Sequence, residues 1–125
     1  MIKPATHSSP PDAILVVEDD DDTREALCIL LAGESYRVLR ARNGLEALQI
    51  LSRIRPALII MDLSMPVMNG WQLLQSFRDE KLLPSVPVIV LSADDKLDDS
   101  DVSFMQKPVR AESLLEEIDT LLCHA

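Results

Sequence analysis

Ala57-Leu58-Ile59-Ile60-Met61-Asp62-Leu63-Ser64-Met65-Pro66 is the stretch that decides the fold. An apolar run of five ends in a carboxylate, and a loop signal follows at Pro66. A short continuous apolar run bounded by turn residues fits a strand buried on both faces. Three further runs repeat the plan. Ile14-Leu15-Val16-Val17 ends in Glu18-Asp19, Val88-Ile89-Val90-Leu91 ends in Ser92-Ala93, and a short run from Val102 to Met105 leads into Lys107-Pro108. Parallel strands deliver their C-terminal ends to one sheet edge, and ligands of open α/β folds bind there. One edge is therefore expected to collect three carboxylates, a hydroxyl and an ammonium.

Amphipathic stretches alternate with the apolar runs, the pattern of βαβ units and a parallel sheet. Strands are expected at 13–18, 36–41, 57–61, 87–91 and 102–105. A first helix should run from about Asp21 to Gly33, with Leu27, Leu30 and Leu31 on its apolar face and Gly33 as C-cap. Asn43-Gly44-Leu45-Glu46 reads as a second helix start, with Asn43 as N-cap and Glu46 three residues on. That helix is expected to reach about Ile54, burying Leu45, Leu48 and Leu51. A third helix over Trp71 to Asp79 would turn Leu73, Leu74 and Phe77 to the sheet. A last one, at about 110–122, repeats Leu114, Leu115, Ile118, Leu121 and Leu122 at helical spacing.

One segment breaks the pattern. Asp94-Asp95-Lys96-Leu97-Asp98-Asp99-Ser100-Asp101 holds five aspartates and one apolar residue. A packed crossover helix needs an apolar stripe, and this segment has none. The fourth crossover is expected to be a solvated loop or at most one turn.

Composition bounds the function. At 125 residues, with 47% hydrophobic residues, the chain is expected to form one globular domain, at 12–123, behind a flexible leader at 1–11. The net charge of −9 argues against direct nucleic-acid binding and permits docking on a basic partner or a cation. No apolar stretch has the length of a signal peptide or a membrane span, so no membrane partner is expected and a cytoplasmic location is. Cys28 is read as a small core residue, and no disulfide with Cys123 is expected. His7 and His124 have no partner at metal-ligand spacing.

The charges at the strand ends carry the chemistry. Glu18, Asp19 and Asp62 would repel one another by roughly 4 kcal/mol per pair at 4 Å and an effective dielectric near 20. A hard divalent cation, Mg²⁺ by preference, suits such a site. Lys107 adds a positive charge and Ser92 a hydrogen-bond donor. A carboxylate in those surroundings is set up to attack phosphorus. Asp21 and Asp22 read instead as carboxylates favoured at a helix N-terminus. Asp20 stays open between N-cap and outer shell of the cation. Phe104 stays open between core residue and moving part, and Trp71 reads as packing at a helix start.

Four pieces carry a resemblance: Val16-Val17-Glu18-Asp19-Asp20, Met61-Asp62-Leu63-Ser64-Met65-Pro66-Val67-Met68-Asn69-Gly70, Leu91-Ser92-Ala93 and Phe104-Met105-Gln106-Lys107-Pro108. Together they resemble the receiver domain of two-component response regulators, over about residues 13 to 122. The resemblance implies a flavodoxin-like (βα)5 doubly wound five-stranded parallel sheet, here with the fourth helix shortened or absent. It implies that Asp62 accepts a phosphoryl group from a phosphohistidine on a sensor histidine kinase or histidine phosphotransfer protein. Asp19 would then ligate Mg²⁺ directly and Glu18 through water, with the Ser64 backbone carbonyl completing the metal site. Ser92 and Phe104 match the switch positions, and Lys107 the phosphate-binding lysine. The Lys107–Pro108 peptide would be cis, and Ser64 and Asp94 would modulate attacking water.

The expected function is a phospho-accepting signalling module, not a turnover enzyme, acting on an unknown downstream protein in trans. A phosphorylation-independent docking module on the same fold is the alternative. An aspartate-nucleophile phosphohydrolase is disfavoured, because Ser64 stands where such enzymes carry a second Asp. The interval from Ser92 to Lys107 is shorter than in most receivers, by roughly two helical turns. Output through the fourth helix is therefore in doubt.

Overall fold

The computed structural model describes residues 13–65, 68–83, 85–94 and 101–122. It contains strands β1 (Ala13–Val17), β2 (Arg37–Ala41), β3 (Leu58–Asp62), β4 (Val88–Ser92) and β5 (Ser103–Gln106), and helices α1 (Asp21–Gly33), α2 (Gly44–Leu51), α3 (Gly70–Asp79) and α4 (Ala111–Leu122). The strands form one parallel sheet in the order β2-β1-β3-β4-β5, the flavodoxin-like arrangement expected. The proposed leader and Cys123 lie outside the described residues. So do residues 95–100, on which the expectation about the fourth crossover falls. Among the described residues no helix stands between β4 and β5.

The continuous apolar runs are explained by burial on two faces. Leu15, Val17, Ile59, Met61, Val88 and Val90 pack with Leu73, Leu74 and Phe77 on one side. Ile14, Val16, Leu58, Ile60, Ile89 and Leu91 pack with Cys28, Leu31, Leu114 and Ile118 on the other. Each fully buried aliphatic side chain contributes roughly 1.5–3 kcal/mol. That drive places β1, β3 and β4 in the middle, while β2 and β5 are only partly buried.

Several expectations need correction. Strands β3, β4 and β5 each begin and end one residue later than expected, so Asp62 and Ser92 are the last residues of their strands. Gly33 is not the C-cap: it closes the helix, the cap is Glu34, and the left-handed turn is carried by Ser35 at φ 70°. Helix α2 stops at Leu51, capped by Ser52, rather than near Ile54. Leu45 is exposed, and the small Ala47 takes the buried position instead. On α4 only Leu114 and Ile118 are fully buried; Leu115, Leu121 and Leu122 sit half-buried at its flank.

Gly70 has a steric reason. A Cβ there would lie 2.7 Å from the Leu63 Cα, and the Gly70 amide donates to the Leu63 carbonyl at 2.7 Å. The start of α3 is therefore pressed onto the residue that follows Asp62. Asn69 caps that start: its side chain accepts from the Gln72 amide, and the Gln72 side chain accepts from the Asn69 amide.

Candidate functional site

Register builds the site. Val17 of β1 lies opposite Met61 of β3, so the next residues along, Glu18 and Asp62, emerge side by side. Asp62 lies opposite Leu91, and Ser92 opposite Gln106, so Ser92 and Lys107 follow at the same edge. The Lys107 amide donates to the Ser92 carbonyl at 2.7 Å, and the Lys107–Pro108 peptide is cis.

Carboxylate oxygens of Glu18, Asp19 and Asp62 lie within 4.8 Å of one another. Glu18 and Asp62 are buried, whereas Asp19 is exposed. The Lys107 ammonium stands 2.6 Å from Asp62 Oδ1. Glu18 Oε2 accepts from the Asp20 amide at 3.1 Å, while Glu18 Oε1 is buried with no hydrogen-bond partner. Burial pushes the Glu18 carboxyl above its usual range, and the Asp62 charge pushes the same way; the Asp20 amide and Lys107 only partly offset them. Burial also works to lower Lys107, but the hydrogen bond and charge of Asp62, with Glu18 and Asp19, outweigh it and hold the ammonium above its ordinary value.

A buried carboxylate oxygen without a partner is costly unless something positive or polar meets it. Three ionised carboxylates against one ammonium leave negative charge unbalanced. The donor set, all hard oxygens, fits Mg²⁺. Glu18, Asp19 and Asp62 are the residues that could hold it.

Beside this cluster lies a cavity of about 410 Å³, lined among the described residues by Asp62, Leu63, Ser64, Asn69, Trp71, Ser92, Ala93, Asp94 and Lys107. Ser92 is buried, and its Oγ accepts from the Asp94 amide at 3.1 Å. Phe104 is half-buried and stands outside that lining, against Trp71, with ring centroids 6.2 Å apart and planes tilted by 49°. Every residue expected at the site is thus at one sheet edge except Phe104, which meets it through Trp71. Asp20 resolves as the N-cap of α1, its side chain accepting from the Thr23 amide at 2.8 Å. The Thr23 hydroxyl, and after it that amide, hold its carboxyl below the usual range.

Two participants were not legible in advance. Arg24 reaches back from α1, its Nη1 donating to the Glu18 carbonyl at 2.9 Å. The one-turn spacing from Asp20 was a signal for it, since a side chain there returns over the helix start. Trp71, expected as packing at a helix start, packs on Phe104 and is also 45% exposed and lines the cavity.

A profile of the response regulator receiver domain matches residues 14–119. The chain belongs to this family. The receiver is 35% identical over 122 residues to the transcriptional regulatory protein GlrR of Escherichia coli strain K12, covering 92% of this chain and 27% of GlrR. It therefore spans little more than a quarter of that relative's length. It is 29% identical to the polar-differentiation response regulator DivK of Brucella anthropi, over 90% of this chain and 97% of DivK. The receiver domain of the hybrid histidine kinase CckA superposes with a TM-score of 0.74 at 34% identity, covering 88% of this chain and 98% of that one. The response regulator TrrA of Thermotoga maritima, solved in complex with Mg²⁺ and a beryllium fluoride, superposes with a TM-score of 0.78 at 29% identity, covering 88% and 98%. Receiver domains are signalling modules of two-component systems. No described helix is long and apolar enough to cross a membrane.

Proposed function

We propose that this receiver, residues 12–123, takes a phosphoryl group on Asp62 from a phosphohistidine of a sensor kinase or phosphotransfer protein. The observation that carries the reading is the ion pair of Lys107 with Asp62 inside a three-carboxylate cluster. The Mg²⁺ and beryllium fluoride complex of TrrA supports it by likeness.

In this reading an Asp62 oxygen attacks phosphorus, the new O–P bond forms, and the P–N bond to the partner's histidine breaks. The imidazole leaves with the bonding pair. Lys107 keeps its proton, because its neighbours raise its pKa, and it turns from Asp62 to a phosphoryl oxygen as charge develops there. Ser92 Oγ, which accepts from the Asp94 amide, keeps its own proton to donate to another oxygen. Glu18, Asp19, Asp62 and the Ser64 carbonyl would hold Mg²⁺, which when bound neutralises charge on the phosphoryl group. Phosphorylation adds about −1.5 to −2 charge and biases Ser92 and Phe104 toward a second arrangement that a downstream protein reads.

Acetyl phosphate with Mg²⁺ tests this. Intact-mass spectrometry should show one added phosphoryl group, lost in Asp62→Ala. A wild type that gains none and binds no beryllofluoride would favour the docking reading. Steady phosphate release from a phosphomonoester would favour a hydrolase.

A further inference from the structure

The first turn of α3 is tied to the acceptor from behind. Gly70 donates to the Leu63 carbonyl, its Cα leaves no room for a Cβ, and Asn69 and Gln72 cap each other's amides. The next residue, Trp71, is therefore carried on backbone fixed one residue from Asp62. Trp71 lines the cavity together with Asp62, Ser92 and Lys107. Its ring also meets the Phe104 ring on β5, so the side chain reaches from α3 toward the far strand. Trp71 is 45% exposed, so the residue borders solvent as well as the cavity.

That placement bears on the life of an acyl phosphate. In hydrolysis a water oxygen attacks phosphorus, the bond from phosphorus to the Asp62 oxygen breaks, the side chain returns as carboxylate, and inorganic phosphate leaves as the dihydrogen anion with both of the water's protons. Attack runs in line with the leaving oxygen, so the water must come from the cavity side. The cavity, about 410 Å³, has room for several waters, each of about 30 Å³ in the liquid. An indole there takes up space, and its N–H donates but cannot accept a proton from attacking water.

We propose that Trp71 is a positioning residue that limits the access of water to phosphorylated Asp62, braced in place by Phe104. The inference rests on the phosphoacceptor reading. Its test is the decay of the phosphoryl mass after the donor is removed, at saturating Mg²⁺, in wild type, Trp71→Ala, Trp71→Phe and Trp71→Leu. The Ala variant should decay about tenfold faster, equivalent to ~1.4 kcal/mol of barrier. Phe should restore a decay close to wild type, and Leu should fall between Ala and Phe. Mg²⁺ affinity by calorimetry should be the same in all four. Should the Ala variant fail to fold, Leu against Phe carries the comparison. Equal decay in Trp, Leu and Phe proteins, or a change of Mg²⁺ affinity in step with decay, would overturn the inference and leave the Asp62 reading standing. A wild type that takes no phosphoryl group would overturn both.

Discussion

The Lys107 ammonium sits 2.6 Å from Asp62 Oδ1, at the end of the edge strand β5, while Asp62 ends the central strand β3. The pair crosses over β4, whose last residue, Ser92, accepts a hydrogen bond from the Lys107 amide through its carbonyl. A cation on the sheet's edge is thereby held on the carboxylate at its centre.

Lys107→Ala should slow phosphoryl loading by roughly 10²–10³, the loss seen when one preorganised transition-state donor is removed. It should not weaken Mg²⁺ binding, because it takes a positive charge away from the carboxylates. Loading rates with acetyl phosphate, alongside a calorimetric Mg²⁺ titration, check both halves. Lys107→Arg should not restore loading, since a planar fork replaces a point charge.

Glu18→Gln should stabilise the cation-free protein and reduce its gain from Mg²⁺. Burial and Asp62 raise the folded-state pKa of Glu18 above 4.5, so the unfolded chain releases this proton first. The stability tied to it is present below pH 4.5 and lost as pH rises through the raised value. Urea midpoints measured against pH in EDTA should show that loss in wild type relative to Glu18→Gln. For wild type, Mg²⁺ at 100 times its Kd should add ~2.7 kcal/mol.

Gly70→Ala should destabilise by roughly 1–3 kcal/mol, the usual range for forcing atoms into a packed site. The obstructing atom is backbone, the Leu63 Cα, so relief requires the loop after Asp62 to move. Mg²⁺ affinity should fall with it. Gly44→Ala meets Met68 instead, its Sδ at 2.7 Å and its Cβ at 2.9 Å, so the Met68 backbone must shift too and chemical denaturation should show a loss of similar size.

Trp71 is the sole tryptophan and borders the acceptor cavity, so its fluorescence reports the site. Mg²⁺ with beryllofluoride should change its emission. Ser92→Ala should shrink that change while leaving Mg²⁺ binding intact, because on the proposed reading Ser92 donates to the phosphoryl group and is no ligand of the cation. An unaltered response in Ser92→Ala would separate the hydroxyl from the switch.

The parts of this fold that were legible in the sequence are those fixed by local composition. Strands β1, β3 and β4 are buried on both faces, so they appear as unbroken apolar runs, and the carboxylates and hydroxyl at their ends follow from that. Asn43 announced its helix because capping is local chemistry. Gly33 misled because Ser35 took the left-handed turn, which a sequence does not distinguish. Leu45 misled because a one-residue rotation of α2 brings Ala47 under the helix and turns Leu45 out. The contact of Trp71 with Phe104 depends on how α3 sits on the sheet. Strand patterns do not encode that seating.

Borohydride reduction of the protein after incubation with Mg²⁺ and a phosphohistidine donor, followed by peptide mapping, tests the central claim most directly. An acyl phosphate is reduced to an alcohol, so phosphorylated Asp62 becomes homoserine. The account predicts homoserine at position 62 alone, dependent on Mg²⁺ and greatly reduced in Lys107→Ala. Homoserine in place of Asp19, or no reduction product in a protein that binds Mg²⁺, would contradict it.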